Sequence, residues 1–113
     1  MRAIPISYGE FYDVPRMIRF LLGGQWYFMR SYFDEQKDDY ADCYDVYLLP
    51  FNSEEEFTSH PNYWKDLTET DHLGQIPIGQ VGLDESRRKT IDGDKVAEWL
   101  SALKKESDLD RVM

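Results

Sequence analysis

The sequence predicts an α+β domain: a mostly antiparallel β-sheet of hairpins in a meander, with a C-terminal amphipathic helix packed on one face. Three observations carry that expectation. Two aromatic-rich strand patterns, QWYFMRSYF over 25–33 and CYDVYLLPF over 43–51, flank the acidic loop DEQKDDYAD. Gly23-Gly24 joins the first of them to the preceding run, Arg16–Leu22, as a two-residue hairpin turn. Val96, Trp99, Leu100 and Leu103 recur at i, i+3, i+4 and i+7, the spacing of one helix face.

Taken in order, Ala3–Tyr8 reads as a short strand, and Pro5 argues for an edge position because it lacks an N–H. Tyr8 to Pro15 reads as a connection, with Val14 extended before proline. A turn at Gly23-Gly24 dictates a register: Leu22 opposite Gln25, Phe20 opposite Tyr27, Ile18 opposite Met29. Carrying the meander through the acidic loop, with Phe33 opposite Cys43, pairs Ser31 with Asp45, Met29 with Tyr47 and Tyr27 with Leu49. One face then collects Ile18, Phe20, Tyr27, Met29, Phe33, Tyr47 and Leu49, with Arg16 and Asp45 neutralising each other near Ser31. The other collects Met17, Leu21, Trp26, Phe28, Val46 and Leu48 with Arg19, Arg30, Tyr32 and Tyr44. That mixed face is expected to be covered by residues 50–75, or else to form a dimer or partner interface.

Beyond the meander, Ser53 and Glu56 match a capping box ahead of a short helix that ends before Pro61. Tyr63, Trp64 and Leu67 are expected to pin a loop or short helix on the sheet, and 73–83 reads as an edge strand broken by Pro77 and Gly79. Asp92 is the expected N-cap of the main helix, Asp92–Lys105, with Ile91 and Val96 as its hydrophobic staple. Residues 1–106 read as one domain and 107–113 as a fraying tail.

Charge is the other informative property. The chain of 113 residues carries a net charge of −9, and residues 34–56 hold nine acids against one base. Such a field repels phosphate backbones and anionic lipid and speeds encounter with basic partners, so neither nucleic acid nor membrane is expected as a partner. No apolar run approaches a membrane span and the N-terminus lacks a signal-peptide pattern, which makes a cytoplasmic protein the expectation.

Catalytic and metal motifs are absent. The twelve residues from Asp34 to Asp45 lack the turn glycine and terminal glutamate of a calcium loop, since Asp39 and Asp45 stand there. His60 and His72 have no second ligand at zinc spacing. No nucleophile elbow and no glycine-rich phosphate loop occurs, and Cys43 reads as a small buried hydrophobe. Arg87-Arg88-Lys89 reads as solvated charge cancelled by its acidic neighbours. No catalytic residue, cofactor or metal is therefore assigned.

The reading that remains is a non-enzymatic binding module. Its candidate surface is Asp34, Glu35, Asp38, Asp39, Tyr40, Asp42 and Tyr44, an acidic and tyrosine-rich loop presented to a basic protein surface. Immunity proteins for secreted toxins and small acidic inhibitors of nucleases share this physical profile, which makes a toxin or nuclease the partner class expected. Two alternatives stay open: a small enzyme or ligand-binding domain with a pocket between helix and sheet, and a homo-oligomeric accessory domain, such as a homodimer, using the mixed face.

Overall fold

A computed structural model describes residues 2–65, 67–68 and 71–112, and the side chains only as far as Lys104. The side chains of Lys105 and of the expected tail thus lie outside the described residues. Five strands form an antiparallel meander: β1 (Ala3–Tyr12), β2 (Val14–Leu22), β3 (Gln25–Arg30), β6 (Cys43–Leu48) and β7 (His72–Pro77). A sixth, β8 (Thr90–Asp92), returns to the far edge beside β1, so the order is β7-β6-β3-β2-β1-β8. Between β3 and β6 a two-residue ladder, β4 (Phe33–Asp34) with β5 (Asp39–Tyr40), forms a separate small hairpin. Helix α1 spans Glu54–Ser59 and α2 spans Gly93–Val112. The fold is α+β, a mostly antiparallel sheet with α2 packed against it.

The central hairpin follows from its turn. Gly23 and Gly24 both have positive φ, 59° and 78°, as a primed two-residue turn requires. The register is the expected one, with Ile18 opposite Met29, Phe20 opposite Tyr27 and Leu22 opposite Gln25.

The next pairing is displaced by one residue from the expected register. Val46, not Tyr47, lies opposite Met29, and Asp45 lies opposite Arg30. A one-residue shift exchanges the two faces of β6. The expected register would bury Asp45 against the core, which is costly for a carboxylate. In the observed one Asp45 stands on the opposite face, accepting hydrogen bonds from His72 and Gln75. Tyr44 and Val46 take the core positions, and Tyr47 and Leu49 move to the second face.

Strand β1 also differs from expectation. It runs on to Tyr12, with Asp13 alone between the paired residues Tyr12 and Val14. Left-handed backbone at Glu10 and Asp13 lets the chain reverse there. Nor is β1 an edge: Ala3–Pro5 pair with β8, and the ladder to β2 begins at Ile6. The missing N–H of Pro5 therefore interrupts nothing on the β2 side.

Two apolar layers sandwich the sheet. Under α2 lie Ile18, Phe20, Met29, Tyr44, Val46 and Ile76, all wholly buried, closed by Val96 and Leu100 from the helix. Trp99 and Leu103 pack at the margin of that layer and are only half-buried. Asp92 caps α2 as expected, its carboxylate accepting from the backbone N–H groups of Asp94 and Lys95 at 3.0 and 3.3 Å. On the second face Phe51, Phe57, Tyr63, Trp64 and Leu67 cover Trp26, Phe28 and Leu49, as expected of residues 50–75. The expected capping box does not form: Ser53 makes no side-chain cap, and Glu56 accepts from the N–H of Asn52, one residue before the cap.

Gly82 shows where the helix cap constrains the chain. Its φ is +64°, and a Cβ built there would lie 2.5 Å from the Cβ of Asp92. Gly82→Ala is expected to lower stability by about 2 kcal/mol or more, through left-handed strain and displacement of the cap. Gly79, with open space around it, should accept alanine within about 0.5 kcal/mol. Denaturant titration of both variants checks the contrast; equal losses would contradict it.

Candidate interaction surface

The acidic segment is held in place by one buried cation. Arg16 on β2 is only 5% exposed. Its Nε donates to the carbonyl of Tyr12 at 3.1 Å, and its Nη1 to the Ser31 hydroxyl at 3.0 Å and the Ala41 carbonyl at 3.4 Å. Its Nη2 pairs with the Asp13 carboxylate at 2.5 Å. The guanidinium also lies 4.6 Å from the centroid of the Tyr40 ring. Its partner is thus Asp13, and the expected neutralisation by Asp45 does not occur. Ser31 in turn donates to the Ala41 carbonyl at 2.9 Å, and Ala41 N–H to the Tyr32 carbonyl at 2.9 Å. These bonds close the neck of the acidic excursion.

Beyond the neck the chain folds on itself. Asp34 accepts from the N–H groups of Gln36 and Lys37, an Asx-type turn, and Asp38 takes a left-handed conformation at the tip. Tyr40 packs against Phe33 and Tyr12, with ring centroids 5.3 and 5.6 Å apart. Tyr12 and Phe33 are 61% and 49% exposed. The result is an aromatic surface of Tyr12, Phe33 and Tyr40 bordered by Asp34, Glu35, Asp38, Asp39 and Asp42. Among the described residues none of those five carboxylates forms an ion pair.

Five of the seven candidate residues therefore share one excursion, Asp42 follows directly after its neck, and Tyr44 lies apart from it. It is wholly buried, and its hydroxyl donates to the Pro15 carbonyl at 2.6 Å. The register shift in β6 turned it inward, which removes it from the surface. Tyr12 and Phe33 take its place. Phe33 had been assigned to a core face, and Tyr12 to an unpaired connection; neither pattern marked them as exposed neighbours.

The remaining chemistry-bearing residues do not converge. Cys43 is half-buried rather than buried, and desolvation with the nearby Asp45 and Asp42 pushes its thiol pKa up, away from the reactive thiolate. His72 opens β7, and its Nε2 meets Asp45. Among the described residues no three His, Cys, Asp or Glu side chains gather as metal ligands. The basic run is exposed, as expected of solvated charge, and two of its members also touch the β1–β2 tip: Arg87 donates to the Asp13 carbonyl at 3.1 Å, and Arg88 lies 4.5 Å from the centroid of the Phe11 ring. It buttresses the β1–β2 tip.

Two measurements bear on this arrangement. Arg16→Met leaves Ser31 and Asp13 without their cation, and is expected to cost about 3 kcal/mol and to broaden the NMR signals of residues 33–42. Unchanged stability would remove Arg16 as the anchor. Burial pushes the Tyr44 phenol pKa above its ordinary value, with Arg16 opposing and Asp13 reinforcing the shift. A raised folded-state pKa gives stability that is complete below the unfolded value, about 10, and is lost as pH rises beyond it. Unfolding midpoints should therefore fall above about pH 10, and Tyr44→Phe should flatten that fall.

Comparison with protein-family profiles, with curated proteins and with solved structures found no match.

Proposed function

We propose that this chain is a non-enzymatic protein-binding module that presents its acidic, aromatic excursion to a basic protein surface. The observation that supports this reading is the adjacency of five carboxylates outside any described ion pair to a solvent-exposed Tyr12–Phe33–Tyr40 cluster. Rigid aromatic rings supply contact area at low entropic cost, and the surrounding carboxylates steer a cationic partner into register. A secreted nuclease or toxin with a basic active-site cleft has the complementary chemistry, which makes an immunity or inhibitor role the specific form proposed.

The alternatives have less to stand on. The layer between α2 and the sheet is filled by wholly buried side chains, leaving the anticipated helix–sheet pocket without room. The mixed second face, offered as an oligomer interface, is occupied by residues from 51–67 of the same chain.

The excursion separates encounter from grip. Replacing Asp38, Asp39 and Asp42 with Asn is expected to slow association with a basic partner about tenfold at low salt and to spare the fold. Phe33→Ala should instead speed dissociation, weakening affinity about tenfold or more. Affinity capture at graded salt, then binding kinetics on the captured protein, measures both. A partner retained equally at high salt, with an unaltered association rate for the triple variant, would refute the docking role.

A further inference from the structure

The second face holds a feature that the acidic surface does not use. Between the β1–β2 hairpin and the covering segment 57–64 lies an open groove of about 470 Å³, within the range of small-molecule sites. Its floor and walls are Met17, Phe28, Phe57, Tyr63 and Trp64, and Arg19 lines it from β2. Gly9 and Glu10 border it from β1.

Arg19 is the unexplained group. Its guanidinium lies 3.9 Å from the centroid of Phe57 and 5.7 Å from that of Trp26, so aromatic faces hold it. Its Nε is buried and has no hydrogen-bond partner. The Tyr63 phenol on the same groove feels its charge: burial pushes that pKa up, and Arg19 opposes the shift. No described carboxylate pairs with it, although Glu10 stands on the same groove. Arg19 is half-buried and has no described counter-ion, and Arg is the residue best shaped to receive a planar carboxylate. The fold withholds that anion, and the space beside the cation is walled by flat apolar rings.

We propose that this groove binds a small aromatic monocarboxylate, its carboxylate on the Arg19 guanidinium and its ring against Phe28, Tyr63 and Trp64. The groove shares no lining residue with the protein-docking surface.

The probe is 3-phenylpropionate, titrated by calorimetry and by quenching of tryptophan fluorescence, with 3-phenylpropionamide as its neutral isostere. Saturable binding of the acid, with the amide at least about tenfold weaker, is expected from loss of the charge-assisted bond. This comparison needs no variant. Arg19→Met should weaken the acid about tenfold while far-UV circular dichroism stays native; should that variant fail to fold, Arg19→Lys, which keeps charge but not the planar fork, is expected to weaken it measurably. The Asp38, Asp39 and Asp42 triple Asn variant should bind the acid as the parent does. Equal binding of acid and amide, no saturation by the acid up to millimolar concentration, or undiminished binding to a folded Arg19 variant would overturn the proposal.

Discussion

One buried guanidinium holds together the parts of this chain that have no other reason to meet. Arg16 reaches the β1–β2 turn through Tyr12 and Asp13, the end of β3 through Ser31, and the far side of the excursion through Ala41. A charge so placed is stable only because nearly every donor is used, and because Asp13 remains largely exposed and keeps part of the pair hydrated. The geometry is mutual. Asp13 adopts its left-handed turn where its carboxylate meets Arg16, and Tyr40 is stacked where its ring covers the same cation.

Around that anchor the sheet distributes its polarity unequally. The α2 side is largely apolar, and its tyrosine hydroxyls are satisfied, Tyr44 donating to the Pro15 carbonyl and Tyr27 accepting from Lys104. The opposite side contains Arg19 and Arg30, both with a buried Nε that finds no partner. Aromatic rings compensate in part, Phe57 for Arg19 and Tyr32 for Arg30. Half-burying cations in this way, with a donor left unbonded, adds little to stability by itself, which is why the arrangement invites a functional explanation.

Much of the architecture was legible because its signals were local. Two glycines specified a turn and hence the whole β2–β3 register, and Asp92 with Ile91 and Val96 marked the start of α2. The β3–β6 register was not local. Its determinants are Arg16 bonding across to Ser31 and Ala41, and the hydroxyl of Tyr44 meeting a carbonyl 29 residues away. The pattern CYDVYLLPF is apolar on both alternating sets, so periodicity left two choices and only the burial of Asp45 distinguishes them. The candidate surface shared that fate: its acids were visible as composition, whereas Tyr12 and Phe33 became neighbours only through tertiary pairing.

The neck that closes the excursion has a wider meaning. Because Tyr32 and Ala41 are bonded directly to each other, and Ser31 and Ala41 to Arg16, everything between them is a detour from which the meander resumes unchanged. Lengthening a loop beyond a fixed base adds little closure entropy. The tip is therefore free to be rewritten, in length or in lettering, while the scaffold stays the same: a fixed socket beneath a variable crown.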